Sequence, residues 1–135
     1  MHILVLCTGN SCRSQMAEKI LQSKLGESHK VFSAGSKPQA VNQYAIQVMQ
    51  EIGLDISQNS SNHLDEYKNI QFDFIITVCS NADKNCPNFT GAVTKLHFPF
   101  EDPANAIGSE EEILVEFRKV RDQIKQKLTD WLNSL

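Results

Sequence analysis

Two hydrophobic periods alternate along this chain, and together they predict its architecture. Residues 3–7, Ile-Leu-Val-Leu-Cys, form a short continuous apolar run, the pattern of a central parallel strand covered on both faces. Met16, Ala17, Ile20, Leu21 and Leu25 then recur at helical spacing, and Gly26 offers a stop in left-handed backbone. A second short strand is predicted over residues 31–34. Ala45, Val48, Met49 and Ile52 repeat the i, i+3, i+4, i+7 spacing of an amphipathic helix, ended by Gly53. Residues 72–79 and 94–98 read as the third and fourth strands. Ser109 and Glu112 make a capping box before a long helix whose apolar face is Ile113, Phe117, Val120, Ile124, Leu128 and Trp131. Glu110, Glu111 and Glu112 at its start, with Lys125 and Lys127 near its end, suit the helix dipole.

Strands alternating with helices predict an α/β fold: one four-stranded parallel sheet flanked by helices, with right-handed crossovers. No repeat, low-complexity tract or linker divides the sequence, so residues 1–135 are read as a single domain. In open parallel sheets, ligands gather outside the carboxyl ends of the strands. Cys7 follows the first strand, Cys79 the third and Asp102 the fourth, so topology alone brings these three residues to one edge. Residues 80–93, rich in Asn, Asp, Pro and Gly, form a connection long enough to suggest a functional loop.

Composition narrows the function. A chain of 135 residues can bury a core without disulfides or structural metal. The net charge is −3 and the basic residues are dispersed, which argues against a nucleic-acid-binding stripe or a polybasic membrane anchor. The apolar start, residues 1–6, has no basic region before it and soon meets Gly9-Asn10-Ser11. It reads as a strand rather than a signal peptide or a membrane span, and a cytoplasmic protein is expected. In that reducing setting the four cysteines are expected to be reactive thiols rather than structural bridges. Neither Cys7-x4-Cys12 nor Cys79-x6-Cys86 has the short spacing usual for zinc ligands.

The chemistry concentrates in Cys7, Thr8, Gly9, Asn10, Ser11, Cys12, Arg13 and Ser14, a Cys-x5-Arg-Ser loop between a strand and a helix. Backbone N–H groups turned inward at a helix N-terminus make an anion cradle, and Cys7 places a nucleophile at its floor. Arg13 adds a planar fork that binds two oxygens at once. Loop amides, Arg13 and the helix N-terminus all favour the Cys7 thiolate, and the Ser14 hydroxyl is positioned to donate to the sulfur. Gly9 lets the backbone turn, and Asn10 is expected to lock the loop through its side chain. Cys12 contributes its amide; no role is required of its sulfur. An isolated Cys-x5-Arg is as well explained by a buried cysteine and a solvated arginine, so the strand–loop–helix context carries the reading.

Cys79 and Cys86 form the second constellation. A thiolate bearing an adduct can be attacked by a second thiol, and the resulting disulfide by a third. Two unrelated cysteines would explain the spacing equally well without the Cys7 loop. Asp102, stiffened by Pro103, is the better candidate for a general acid, with Glu101 its neighbouring competitor. His2, His29, His63 and His97 show no ligand spacing and are read as surface or edge residues.

With these residues in hand, the chain resembles the thioredoxin-coupled arsenate reductases, which share the low-molecular-weight tyrosine phosphatase fold. The resemblance rests on the Cys7 to Ser14 loop, Gln15-Met16-Ala17-Glu18, Ser33-Ala34-Gly35, Cys79-x6-Cys86-Pro87, Asp102-Pro103 and Phe117-Arg118-Lys119-Val120-Arg121-Asp122. The loop is shared with the phosphatases; the Cys79 and Cys86 pair is particular to the reductases. The resemblance implies that Cys7 attacks arsenate held by the loop and Arg13, while Asp102 assists the leaving oxygen. Cys79 would then attack Cys7 and release arsenite, and Cys86 would attack Cys79 to give a disulfide presented to thioredoxin. It further implies a monomer with no tightly bound cofactor, with phosphate or sulfate as competing oxyanions. A potassium site in some members would match Asn10, Glu18 and Ser33, but Asn62 stands where those members carry an aspartate, which weakens the case for potassium. The competing readings are a low-molecular-weight protein tyrosine phosphatase using Cys7, Arg13 and Asp102 alone, and a non-catalytic thiol sensor that binds arsenite or metal.

Overall fold

The computed structural model describes residues 1–80 and 92–135. The chain runs β1 (His2–Cys7), α1 (Arg13–Leu25), β2 (Lys30–Gly35), α2 (Gln43–Gln50), β3 (Phe72–Thr77), β4 (Ala92–His97) and α3 (Glu110–Asn133). Short 3-10 turns at Leu64–Tyr67 and Pro103–Asn105 precede β3 and α3. All strand pairings are parallel, in the order β2-β1-β3-β4, as the alternation of elements predicts.

β1 is buried on both faces because it is central. Ile3, Val5 and Cys7 point into the larger core with α1, α2 and α3; Leu4 and Leu6 point to a smaller core with Ala34, Phe72 and Ile75. α1 presents Met16, Ala17, Ile20 and Leu21 to the sheet. Gly26, at φ +80°, and Gly53, at φ +78°, adopt the left-handed backbone expected after the first two helices. The Ser109 hydroxyl accepts from the Glu112 N–H, and the Ser109 N–H donates to the Glu112 carboxylate, completing the capping box of α3. Trp131 packs edge-on to Phe74 at 5.1 Å and near Phe98 at 6.2 Å.

Three expectations shift. β3 ends at Thr77 rather than residue 79, because β1, its partner, leaves for the loop after Cys7. The buried face of α3 includes Leu114 and Arg121, whereas Ile113 and Trp131 are half-buried. Lys125 and Lys127 lie upstream of the last turn of α3, which holds no basic residue, since the helix continues to Asn133. Of the predicted long loop, residues 81–91 with Cys86 lie outside the described residues. Among the described residues no helix is long and apolar enough to cross a membrane.

Candidate active site

The loop after β1 is folded so that its carbonyls turn away from its concave side. Lys37 N–H donates to Thr8 O at 3.0 Å, Gln39 N–H to Gly9 O at 2.9 Å and Asn42 N–H to Ser11 O at 3.0 Å. Asn10 O accepts from the Gln15 amide at 3.1 Å and the Ser61 hydroxyl at 2.8 Å, and Cys12 O accepts the first bond of α1, from Met16 at 2.9 Å. Five successive carbonyls thus have partners outside. Among the described residues no backbone carbonyl accepts from the N–H of Gly9, Asn10, Ser11 or Cys12. The loop therefore presents donors to a cavity of about 200 Å3 that it lines together with Gln39, Asp102 and Ala104. This is the anion cradle the sequence predicts, at the carboxyl ends of the strands.

Two residues hold that shape. Asn10 sits at φ +49°, a backbone that asparagine adopts more readily than most side-chain-bearing residues, and it is fully buried with its side chain fixed. Its amide donates to Ser14 Oγ at 2.8 Å, and its side-chain oxygen accepts from Asn62 N–H at 2.9 Å. The bond to Asn10 makes Ser14 part of the loop lock. Gly35, at the end of β2, lies against the loop backbone: a Cβ there would come within 2.4 Å of Thr8 O, 2.9 Å of Cys7 O and 3.0 Å of Asn10 N. Only a residue without a side chain fits that approach.

The thiols of Cys7 and Cys79 meet at the floor, both buried, with Sγ atoms 4.0 Å apart in a hydrogen-bonded pair. The Thr8 hydroxyl lies 4.0 Å from the Cys79 sulfur. The contact with Cys79 and burial push the Cys7 thiol well above its ordinary range; Arg13 and the Thr8 N–H act in the opposite direction without prevailing. The sequence expectation of a favoured thiolate rests on loop amides, Arg13, the helix N-terminus and Ser14, and includes neither burial nor Cys79. Cys12 is also buried, and desolvation pushes its thiol up to about 11.

Arg13, the first residue of α1, reaches the turn after β4. One guanidinium nitrogen donates to Phe100 O at 3.0 Å, and another lies 3.5 Å from the Asp102 carboxylate. Asp102 also accepts from Ala104 N–H at 3.0 Å, which caps the Pro103–Asn105 turn and aims the side chain at the cavity. Glu101 is exposed and does not line the cavity. The histidines are dispersed: His29 meets the N-terminus, His63 caps the Leu64–Tyr67 turn, and His2 and His97 lie exposed on strands.

The residues suggested for potassium lie together, but their oxygens already serve protein donors. Ser33 donates to one Glu18 oxygen at 3.1 Å and Asn59 to the other at 3.5 Å, while Gln15 and Ser61 occupy Asn10 O. Asn62 contributes an amide in place of a charge, and Ser60 donates to its oxygen at 3.3 Å. The Glu18 carboxyl is pushed upward by burial, offset in part by Ser33. These contacts, and the missing charge at Asn62, weaken the case for potassium. Among the described residues there is no cluster of three His, Cys, Asp or Glu that could hold a metal.

Sequence reasoning did not find the backing segment of residues 37–42, nor Gln39 and Ala104 on the cavity wall. Backbone hydrogen bonds from that segment require no particular side chain, so they leave no motif. The close approach at Gly35 had one signal, a glycine ending a strand.

The profile of the low molecular weight phosphotyrosine protein phosphatase family matches residues 2–135. An arsenate reductase of Staphylococcus epidermidis is 46% identical over 123 residues, which cover 91% of this chain and 89% of the relative. A solved arsenate reductase in its phosphate-binding state superposes with a TM-score of 0.82 at 28% identity, covering 98% of this chain and 97% of the other. A thioredoxin-dependent arsenate reductase of Corynebacterium glutamicum superposes with a TM-score of 0.63 at 26% identity, covering 99% of this chain and 63% of that larger one. The chain belongs to the low molecular weight phosphotyrosine protein phosphatase family, alongside the arsenate reductases built on that fold.

Proposed function

We propose that the protein reduces arsenate to arsenite by a relay of Cys7, Cys79 and Cys86, recycled by thioredoxin. The observation that carries this reading is the 4.0 Å separation of the Cys7 and Cys79 sulfurs beneath a donor-lined oxyanion cavity. A phosphatase needs one thiol there; a second thiol in reach gives the adduct a reductive exit. The net charge of −3 and the self-contained cavity support a small oxyanion acted on by a single chain rather than a nucleic acid or membrane partner. Thiols that must return to the reduced state suit a cytoplasmic setting.

In this mechanism Cys7, attacking as thiolate, displaces an oxygen of arsenate and forms an S–As bond, and Asp102 in its acid form protonates the oxygen as it leaves as water. Loop N–H groups and Arg13 hold the remaining oxygens. Cys79, as thiolate, then attacks the Cys7 sulfur. The S–As electron pair stays with arsenic, which falls from As(V) to As(III) and departs as arsenite, while two thiols become the Cys7–Cys79 disulfide. Cys86 attacks the Cys79 sulfur, releasing Cys7 and forming a Cys79–Cys86 disulfide, which the thioredoxin dithiol reduces.

The test is arsenate reduction coupled to thioredoxin, thioredoxin reductase and NADPH, with Cys7→Ser, Cys79→Ser and Cys86→Ser. Each change should stop turnover. A Cys86→Ser enzyme that cycles normally would defeat the three-thiol relay, and full activity with glutaredoxin and glutathione alone would point to another donor. The loop and Asp102 are also sufficient for hydrolysis of a phosphate ester. Residual turnover of p-nitrophenyl phosphate, lost in Cys7→Ser but kept in Cys86→Ser, is therefore expected.

A further inference from the structure

The cavity wall includes one polar side chain that neither the loop nor the acid turn supplies. Gln39 is held through its backbone: its N–H donates to Gly9 O at 2.9 Å, and its carbonyl shares the Ser61 hydroxyl with Asn10 O. Its carboxamide lies over Gly9, with Oε1 3.6 Å from where a Cβ on that glycine would stand. Among the described residues this carboxamide makes no hydrogen bond; it is exposed to solvent at the mouth of the cavity it lines, with its backbone held.

The backbone of the cradle is one-sided in hydrogen-bonding character. Loop N–H groups and Arg13 donate and cannot accept, while the Thr8 and Ser11 hydroxyls on the lining can do either. Near neutral pH, arsenate and phosphate carry at least one protonated oxygen, whose O–H requires an acceptor; sulfate carries none. Asp102 is one acceptor, but its task in the mechanism is to give a proton to the leaving oxygen. The Gln39 carboxamide supplies a neutral acceptor without adding negative charge beside an anion.

We infer that Gln39 is a specificity-determining residue whose Oε1 accepts the hydrogen bond of the substrate's protonated oxygen, favouring hydrogenarsenate and hydrogenphosphate over sulfate. This rests on the arsenate reductase reading for its substrate, but its discrimination between oxyanions does not depend on turnover. A carboxamide oxygen that pairs with the substrate hydroxyl favours a ligand that carries one, whereas sulfate must be met by the NH2 end instead.

The experiment compares wild type, Gln39→Leu and Gln39→Glu, each first shown to keep the wild-type melting temperature. Phosphate and sulfate affinities are measured by their protection of Cys7 from alkylation, and arsenate by kcat and KM in the thioredoxin-coupled assay. Gln39→Leu should weaken phosphate and raise KM for arsenate by about tenfold, the scale of one hydrogen bond, with the loss carried by KM. Its sulfate affinity should be unchanged or improved. Gln39→Glu should weaken all three, since its charge would face the anion. Equal weakening of phosphate and sulfate in Gln39→Leu, or no effect of Gln39→Glu on any of them, would overturn the inference. A wild type that discriminates phosphate from sulfate through Gln39 but does not reduce arsenate would sink the functional reading and leave this one standing.

Discussion

The Cys79 sulfur lies 4.0 Å from the Cys7 sulfur in a site where both side chains are buried, and that contact opposes the loop's own electrostatics. Arg13 and the Thr8 N–H draw the Cys7 thiol down; Cys79 and desolvation push it up and win. Replacing Cys79 with alanine removes the largest of the upward effects. The Cys7 thiolate should then form at lower pH, measurable by the pH dependence of alkylation or of thiolate ultraviolet absorbance. Phosphatase turnover in that variant should extend to lower pH while arsenate turnover stops. A Cys7 titration unchanged by Cys79→Ala would mean that burial alone sets it.

Gly35 governs the cradle from behind. In Gly35→Ala a methyl group would sit 2.4 Å from Thr8 O, and because its neighbours are backbone the loop must move. Overpacking of this kind costs about 1–3 kcal/mol. The displaced amides should also weaken phosphate binding by at least about tenfold, since charge-assisted hydrogen bonds are lost. Chemical denaturation and phosphate titration check the two effects separately. Wild-type phosphate affinity in a destabilised Gly35→Ala would show that the loop tolerates the shift.

Much of this could be read from residue types because the features involved are local. The run Ile3-Leu4-Val5-Leu6 encodes a strand buried on both faces, and Ser109 with Glu112 encodes a helix start through bonds three residues apart. Cys7, Cys79 and Asp102 converge because parallel topology brings the ends of their strands to one edge. What escaped is long-range and backbone-mediated. Lys37, Gln39 and Asn42 hold the loop through N–H groups that any residue but proline would supply. The rise of the Cys7 thiol depends on a partner 72 residues away, so no window along the chain contains it. Lys125 and Lys127 are near the end of α3 but fall short of its last turn, where the helix dipole acts most strongly.

The polar network beside the loop predicts indifference to potassium. Glu18, Ser33 and Asn10 already accept or donate within the protein, and Asn62 brings no charge. Melting temperatures in potassium chloride and sodium chloride at equal concentration should coincide, as should KM for arsenate. A higher melting temperature in potassium would show that the ion displaces one of these donors.

Asp102 faces Arg13 at 3.5 Å and is held by the Ala104 N–H. Asp102→Asn keeps that geometry but cannot release a proton. It should lower kcat for arsenate by roughly 100-fold or more, the usual contribution of a positioned acid, with a smaller change in phosphate affinity. Similar losses in kcat and phosphate affinity would recast Asp102 as a residue that mainly positions Arg13.

Away from the site, Glu51 joins α2 to α3. It receives Arg118 at 2.9 Å and Arg121 at 2.8 Å, and Arg121 also donates to Val48 O at 2.8 Å, tying it to the end of α2. The Arg118 contact, followed by Arg121, holds the Glu51 carboxyl below its usual value. A depressed carboxyl stabilises the fold above the unfolded-state pKa and loses that contribution as pH falls through the folded value. Because Glu51 is about a third exposed, solvent screening limits the gain to roughly 1 kcal/mol or less. Glu51→Gln should therefore melt slightly lower than wild type at neutral pH. The gap should begin to close as pH drops below ~4.3, the unfolded glutamate value, and vanish at lower pH still. Melting curves across that range decide it: a gap that persists undiminished through the acid limb would mean that Glu51 acts by packing rather than by charge.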